Sequence, residues 1–295
     1  MICNLNLRYR FQISKYREQF ITLYHWYKRI AYPSVRIAFE KNQLLKKSND
    51  YTAKDMELLR RVSINISPCD TMHAGDTRKY FNVGLSAIHC IDDVLSNISQ
   101  TPSIGTILDL PSGHGRVLRF LVQRFPQAEI TACEIDKKAV DYCIKHFGVR
   151  GVYSSHDLRN MSLDRQYDLI WCGSLITHMN ASVINDLLAF FYRHIASNGI
   201  LIFTTHGSLI ADRIKKNSFD LKVTREGAPT LLSSFQQNGF AYMEYPWKDA
   251  NYGISLTSTE WIKEQLAKFK DLRICYFGEH KWDSWQDVYG VIKVN

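Results

Sequence analysis

The residues between Asp109 and Gly115 carry the clearest chemical pattern in this chain. Asp109 ends a short apolar run, and Gly113 and Gly115 follow in a loop before the first turns of a helix. Glycines let a ligand approach the backbone where a Cβ would clash, and a helix start presents unpaired N–H groups. Glu134 ends the next apolar run, where a carboxylate can accept both hydroxyls of a ribose. These residues predict a site for a cofactor that contains a nucleoside.

A third carboxylate, Asp157, follows the third apolar run of the same region. In an open α/β sheet the ends of these runs meet at the carboxyl edge, where such sheets bind ligands. Each carboxylate alternatively caps the helix that follows it, because acidic residues favour helix N-termini. One capping carboxylate is ordinary, whereas three in register with a glycine loop favour a binding site.

Alternating strand and helix patterns must position these residues. Strands are predicted at 106–110, 129–134, 151–154, 167–172, 199–204, 272–277 and 287–293. Helices are predicted at 79–96, 115–125, 137–146, 182–195 and 259–268, the last with Ser258 as its N-cap. The alternation predicts an α/β fold with a doubly wound, seven-stranded and mostly parallel sheet whose final strand is reversed.

Two further segments complete the predicted organisation. Residues 1–78 are predicted to form a helical, basic N-terminal extension, with helices near 16–31 and 53–62. Residues 79–295 form the main domain, in which 207–257 has no clear period and contains several Gly and Pro residues. This insertion is predicted to be a cap or substrate loop without sheet.

The net charge of +8 lies almost entirely in the N-terminal extension. Residues 1–50 hold ten Lys/Arg against three acidic residues, which leaves the rest of the chain near +1. No apolar run approaches the ~18 residues of a membrane-spanning helix, and no signal-peptide pattern is present. Seven scattered cysteines without a Cys-x-x-Cys pair argue against a metal site and a disulfide framework. They favour a cytoplasmic location.

The stretch Asp-Leu-Pro-Ser-Gly-His-Gly at 109–115 resembles the first motif of the class I S-adenosylmethionine-dependent methyltransferases. That family places the acidic residue and the glycine loop around the methionine part of the cofactor. The resemblance covers about residues 80–206. It includes 167–174, which is similar to the fourth strand and the loop beside the methyl group, and 196–204, which is similar to the fifth strand.

The resemblance implies a set of residues that bind S-adenosyl-L-methionine. Glu134 matches the family's acidic residue on the ribose hydroxyls, and Asp157 and Leu158 match the position next to the adenine. The full implied set is Asp109, Pro111, Gly113, His114, Gly115, Glu134, Ile135, Asp157, Leu158, Trp171 and Cys172. Pro111 departs from the family, which usually has glycine there. Because proline lacks the N–H donor, a backbone contact usual at this position is expected to be absent.

Two histidines are the candidate catalytic residues. The sulfonium of the cofactor already supplies the electrophile, so alignment of the acceptor supplies much of the rate. A hydroxyl acceptor also benefits from a general base, a role that suits histidine. His178, after the fourth strand, is the first candidate, and His206, after the fifth strand, is the second. For each, the alternative is a histidine that only hydrogen-bonds its own loop.

Aromatic residues near the C-terminus have two interpretations. Trp282 and Trp285 precede the final strand, and Tyr245, Trp247 and Tyr252 lie in the insertion. These rings are predicted either to stack on a substrate or to pack inside the cap, and packing is the commoner fate of such residues.

The favoured function is methylation of a small-molecule or glycan acceptor, with oxygen as the preferred acceptor atom. One alternative is an RNA methyltransferase or nucleic-acid-binding protein that uses the basic N-terminal arm, whose phosphate contacts would weaken with salt. Contact of this arm with a membrane surface is a further alternative. The least favoured function is an NAD-dependent oxidoreductase, because Leu118 occupies the third glycine position of a dinucleotide fingerprint.

Overall fold

The computed structural model describes residues 33–46, 50–99, 102–216, 222–245 and 252–294. The helix predicted at 16–31 and the side chain of Trp247 lie outside these residues. The described helices are α1 Pro33–Lys46, α2 Ala53–Arg61, α3 Thr77–Ser96, α4 Leu118–Arg124, α5 Lys137–Phe147, α6 Ala181–His194, α7 Ser208–Lys215, α8 Gly227–Asn238 and α9 Thr259–Leu266. The described strands are β1 Thr106–Asp109, β2 Glu129–Glu134, β3 Arg150–Tyr153, β4 Tyr167–Cys172, β5 Ile195–Thr205, β6 Phe240–Glu244, β7 Gly253–Thr257, β8 Leu272–Trp282 and β9 Gln286–Lys293.

A seven-stranded sheet in the order β3-β2-β1-β4-β5-β9-β8 forms the centre of the fold. The pairs among β1 to β5 are parallel, whereas β9 runs antiparallel to both β5 and β8. This confirms the predicted α/β class and the reversed final strand. The strand order reverses between β1 and β4, and in such sheets the crevice at this reversal is where ligands bind.

Helices cover both faces of the sheet, so its central strands are buried on both sides. Phe81, Phe120 and Ile202 belong to the apolar cluster on one face, and Ile170 and Phe191 belong to the cluster on the other. Strands buried in this way read as continuous apolar runs. This is why their positions could be predicted to within a few residues.

Short polar side chains cap the helices that surround the sheet. Asp136 accepts a hydrogen bond from the Lys138 amide at the start of α5, and Asn180 accepts one from Val183 at the start of α6. Ser258 accepts one from the Trp261 amide, as its position before an apolar helix predicts. These caps place the helix starts at the carboxyl edge of the sheet.

The insertion at 207–257 differs from the prediction, which had no sheet there. Its described part, called the cap from here on, contains α7, α8 and a two-stranded antiparallel sheet of β6 and β7. The cap has its own apolar cluster, which includes Ile210, Leu231 and Ile254. Its strands have five residues each and adjoin Gly and Pro turn signals, so no long period marked them in the sequence.

The described part of the N-terminal segment packs against α3. Leu44 of α1 and Leu59 of α2 belong to the same apolar cluster as Phe81 of α3. The buried Lys41 ammonium donates to the carbonyl of Val62, 2.6 Å away. The predicted domain boundary after residue 78 therefore stays a prediction. Among the described helices none combines the length and hydropathy that crossing a membrane requires.

Candidate functional site

The glycine loop joins β1 to α4 at the carboxyl edge of the sheet. Gly113 and Gly115 have φ values of 50° and 84°, in the left-handed region that favours glycine. A Cβ at Gly115 would collide with the ring of Phe147. A Cβ at Gly113 would meet no atom within 4 Å, so this side of the loop faces open space. A ligand can therefore approach the backbone at Gly113.

Glu134, at the end of β2, lies directly beside this loop. Its Oε2 accepts a hydrogen bond from the Gly113 amide at 3.1 Å, and its Oε1 accepts one from the Ile135 amide at 2.7 Å. Asp136 serves as the N-cap of α5, so this helix does not depend on Glu134 for its cap. The half-buried carboxylate of Glu134 instead connects the end of β2 to the glycine loop.

Asp109, at the end of β1, is a buried carboxylate, with 1% of its surface exposed. Within the described part of the chain, neither of its side-chain oxygens has a hydrogen-bond partner. Burial and the neighbouring charge of Glu134 raise the pKa of Asp109 well above its usual range. Burying such a group costs free energy, and polar groups of this kind cluster at functional sites.

A buried arginine holds the other side of the glycine loop. The Arg119 guanidinium is fully buried and donates to the carbonyl of Gly115 at 3.0 Å. It also donates to the carbonyls of Ser63 and Asn65, at 2.8 and 2.9 Å. Arg119 had no predicted role. The available signal was its position within the apolar run of residues 117–122, where an arginine must find buried acceptors.

The remaining predicted residues of the loop region lie close to these groups. The Leu110–Pro111 peptide bond is cis, and the Leu110 amide donates to the Trp171 carbonyl at 3.0 Å. His114 is buried, and its Nε2 has no hydrogen-bond partner among the described residues. The side chain of Ile135 is 43% exposed beside Glu134.

Trp171 and Cys172 end β4 with buried side chains. Trp171 belongs to the apolar cluster on one face of the sheet and Cys172 to the cluster on the other face. Burial and the charge of Asp109 raise the pKa of the Cys172 thiol. Because both side chains are buried, the backbone is the part of Trp171 and Cys172 that is left to contact a ligand at the sheet edge.

Asp157 and Leu158 lie in the loop after β3, two strands away from β1. The exposed Asp157 carboxylate accepts hydrogen bonds from the amide and the side chain of Asn160, at 3.3 and 2.8 Å. These hydrogen bonds lower the pKa of Asp157. Asp157 has no hydrogen bond to the glycine loop in the described structure, so the two are separate parts of the same sheet edge.

The two candidate histidines lie on the other side of the glycine loop, below the cap. His178 sits in a 3₁₀ turn, Ile176–His178, and its Nδ1 is 2.8 Å from the Gly253 carbonyl. Its ring stacks on Tyr252, with 4.8 Å between centroids and 19° between planes. The centroid of the His206 ring is 6.3 Å from that of His178.

His206 is a buried histidine whose Nδ1 has no hydrogen-bond partner within the described residues. Burial, together with the neighbouring His178, lowers the pKa of His206 to about 3. His206 is therefore neutral near pH 7, and it is a much weaker base than an ordinary histidine.

The C-terminal aromatic residues occupy the tip of the β8–β9 hairpin. Asp283 and Ser284 have φ values of 53° and 57°, as the central residues of a type I′ turn require. The buried Trp282 donates from its indole nitrogen to the Val83 carbonyl at 3.1 Å. Trp285 is half-buried, and the Arg213 guanidinium lies 3.8 Å from its ring centroid. Trp282 thus packs largely in the core.

A cavity of about 190 Å³ lies between this hairpin and the start of α3. Its lining residues are Lys79, Val83, Arg116, His206, Trp282, Asp283, Trp285 and Gln286. The roles of Lys79, Arg116 and Gln286 here could not be predicted, because they are distant in the sequence. Only the folded sheet brings them to one edge.

Comparison with known proteins identifies the family of this arrangement. A family profile described as "Methyltransferase domain" matches residues 107–199, which include β1, the glycine loop, β2 and β4. Together with the seven-stranded sheet, this match decides the assignment. Residues 107–199 of this chain form an S-adenosylmethionine-dependent methyltransferase domain.

Curated relatives of this methyltransferase domain include a malonyl-[acyl-carrier protein] O-methyltransferase from Bacillus cereus. It is 28% identical over 131 residues, which are 44% of this chain and 48% of the relative. A second one, from Bacillus cytotoxicus, is 31% identical over 126 residues, which are 41% of this chain and 42% of the relative. The chain therefore spans about half the length of the curated relatives it matches.

Solved structures share the fold of the methyltransferase domain. CalS10 from Micromonospora echinaspora, an amino pentose methyltransferase with bound S-adenosylmethionine, aligns with a TM-score of 0.51 at 13% identity. The alignment covers 79% of this chain and 99% of that chain. S-adenosylmethionine is the cofactor of the family. At this identity the likeness is one of fold.

Proposed function

We propose that this chain transfers a methyl group from S-adenosylmethionine to a small-molecule or glycan acceptor, with oxygen as the acceptor atom. One observation carries the proposal: the oxygens of the buried Asp109 carboxylate have no donor among the described residues, and Glu134, whose charge acts on Asp109, accepts a hydrogen bond from the Gly113 amide. A ligand with hydrogen-bond donors and a positive charge would satisfy this carboxylate, and S-adenosylmethionine has both.

The residues of the β1–β2 edge would hold the cofactor. Glu134 would accept from the ribose hydroxyls, since its carboxylate is already fixed by the Gly113 and Ile135 amides. Asp109, Pro111, His114 and Gly115 would surround the methionine part, with the Trp171–Cys172 backbone beside it. Asp157, Leu158 and Ile135 would flank the adenine. The bound cofactor supplies the electrophilic methyl group and the leaving group.

His178 would act as the general base. If its Nδ1 donates to the Gly253 carbonyl, the neutral ring carries its basic lone pair on Nε2. Nε2 can then take the proton from an acceptor hydroxyl. His206 has a pKa of about 3, so its proton affinity is too low for an effective base near pH 7. It would instead shape the neutral wall of the acceptor site.

Oxygen as the acceptor atom has support from the relatives, which are named malonyl-[acyl-carrier protein] O-methyltransferases. The N-terminal arm on which a nucleic-acid or membrane function would depend, residues 1–32, lies outside the described residues. Those alternatives therefore remain predictions from composition.

Calorimetric titration with S-adenosylmethionine, S-adenosylhomocysteine and NAD tests the proposal. We expect the first two to bind with micromolar Kd, NAD not to bind, and Asp109→Ala to abolish binding. Asp141→Ala, on the exposed side of α5, is the matched control and should bind normally. Binding of NAD alone, or full affinity in Asp109→Ala, would overturn the cofactor assignment.

A further inference from the structure

The cavity between the β8–β9 hairpin and α3 has an electrostatic character that methyl transfer itself does not require. Two cations, Lys79 and Arg116, line it against a single carboxylate, Asp283. His206, also in the lining, is neutral because burial lowers its pKa to about 3. With Asp283 ionised, the lining residues carry one net positive charge. The charge of Asp70 also acts on Arg116, and the Arg213 guanidinium lies 3.8 Å from the Trp285 ring centroid.

Arg116 has no direct ion-pair partner among the described residues. Its half-buried guanidinium forms no salt bridge and no side-chain hydrogen bond with any other described residue, and its Cζ lies 5.9 Å from the ring centroid of Trp282. Burial lowers the pKa of Arg116, and Tyr80 and the charges of Asp70 and Asp283 raise it again. A partly buried cation without an acceptor is costly. Such a group is suited to an anion that arrives from solvent.

The cavity adjoins the glycine loop at Arg116 but does not include the carboxylates of the β1–β2 edge. Its lining comes from the end of β5, the β8–β9 hairpin, α3 and the start of the α4 region. It contains neither Asp109 nor Glu134. His206 lines this cavity, and its ring centroid is 6.3 Å from that of His178, so the cavity and the proposed base are neighbours.

We propose that this cavity binds a carboxylate of the methyl acceptor, with Arg116 as its main partner and Lys79 at the rim. A guanidinium pairs with a carboxylate through two parallel hydrogen bonds, which fixes orientation as well as affinity. A monoanion balances the one net charge of the cavity, whereas a phosphate dianion would also face Asp283. The half-buried ring of Trp285 offers an apolar wall to the rest of the acceptor. The inference rests on the proposed function, since it names the acceptor class.

The test uses a matched pair of probes, 4-fluorophenylacetate and 4-fluorophenylacetamide, titrated by fluorine NMR into the full chain with S-adenosylhomocysteine present and absent. We expect the acid to bind at least about tenfold more tightly than the neutral amide, the size of one charge-assisted pair. Arg116→Gln should remove this preference, and Arg116→Lys should restore part of it. Lys79→Gln should reduce it about twofold to threefold.

Arg60→Gln is the matched control, because Arg60 is exposed on α2 and outside the cavity. It should keep the full preference for the acid. Melting temperatures of all variants report whether the fold is intact. Equal affinity of acid and amide in the unmodified chain would overturn the proposal.

A second arm excludes the carboxylate of the cofactor as the true partner of Arg116. Arg116→Gln should bind S-adenosylhomocysteine and 5′-methylthioadenosine, which lacks the amino acid part, as the unmodified chain does. Selective loss of S-adenosylhomocysteine, with the acid preference intact, would assign Arg116 to the cofactor and overturn the proposal. The titrations without cofactor keep the cavity testable even if S-adenosylhomocysteine does not bind. That result would refute the proposed function alone.

Discussion

The β1–β2 edge and the β5–β9–β8 edge of the sheet are assembled in different ways. At the first edge, Asp109, Gly113 and Glu134 come from one stretch of chain, and a hydrogen bond from the Gly113 amide to Glu134 joins two of them. At the second edge, the cavity draws on Lys79, Arg116, His206 and the hairpin tip, which are far apart in the sequence.

This difference in assembly suits two different roles, binding of the cofactor and binding of the acceptor. A local motif keeps its geometry when distant parts of the fold change, which suits a group that every member of the family must bind. A cavity assembled from distant segments changes its shape and charge with a single substitution in any of them. We therefore propose that the first edge holds the cofactor and that the second edge sets the preference for the acceptor.

The largest expected effect tests the acceptor edge. We expect His178→Ala to lower kcat about 10²- to 10⁴-fold, the usual contribution of a general base, with little change in the Kd of S-adenosylhomocysteine. His206→Asn should retain the acid limb of the pH–rate profile, because a group with a pKa of about 3 does not titrate near neutral pH. Methyl transfer from labelled cofactor across pH 5–9 measures both.

Either of two results would contradict the assignment of His178 as the base. If kcat of His178→Ala is normal, or if His206→Asn alone removes the acid limb, His178 is not the base.

At the cofactor edge, Glu134→Ala should weaken S-adenosylhomocysteine binding about 10- to 100-fold. The variant loses the two hydrogen bonds that the ribose hydroxyls would donate to the Glu134 carboxylate. Each contributes at most about 1.5–3 kcal/mol to the binding free energy, and water compensates for part of this loss. Glu129→Ala, at the exposed start of the same strand, is the matched control and should bind normally. Calorimetry measures the affinity of both variants for S-adenosylhomocysteine. Equal losses of affinity in the two would refute the assignment of Glu134 to the ribose.

Asp109→Asn should raise stability while it lowers cofactor affinity, because it removes a buried charge without donors. The folded-state pKa of Asp109 is raised above that of the unfolded chain, so the folded state binds more protons. Wild-type stability should thus fall as pH rises from about 4 through that pKa, and the variant should not share this fall. The gain at pH 7 should be on the order of 1–3 kcal/mol.

Urea denaturation of the cofactor-free chain and of Asp109→Asn at several pH values measures this. A stability difference that is the same at pH 4 and pH 8 would mean that Asp109 does not titrate as proposed.

The smallest expected effect concerns the adenine end. Asp157→Asn should weaken S-adenosylhomocysteine about twofold to fivefold, because the exposed carboxylate is screened by water. S-inosylhomocysteine lacks the exocyclic amine, so its affinity should not change. If both nucleosides lose affinity equally, Asp157 acts on the loop after β3 and not on the base.

Much of the fold could be predicted because β1, β4 and β5 are buried on both faces and read as apolar runs. Ser258 was predictable as a cap because capping depends on neighbouring residues alone. The β6–β7 sheet was not predictable, since its strands are short and pair across the residues 246–251. The apolar cluster of the cap stabilises them.

The same physical distinction applies to the candidate site. Glu134 stood out because it follows a strand and a glycine loop, and the structure brings it to Gly113. Arg116 gave no local signal, since its surroundings are set by Lys79 and by the hairpin more than 160 residues away in the chain. For Arg119, the sequence showed only a charged residue within an apolar run, and it did not indicate the carbonyls to which the side chain donates.

Arg119 also has a consequence for the motions of the chain. Its guanidinium bonds at once to Gly115 and to the carbonyls of Ser63 and Asn65. If either partner moves away, a buried cation loses acceptors. We therefore expect the glycine loop and residues 63–65 to open together as one cooperative unit. Backbone amides of both segments should therefore exchange with solvent at similar rates. Any ligand that steadies the loop would slow exchange in residues 63–65 as well, although it need not touch them.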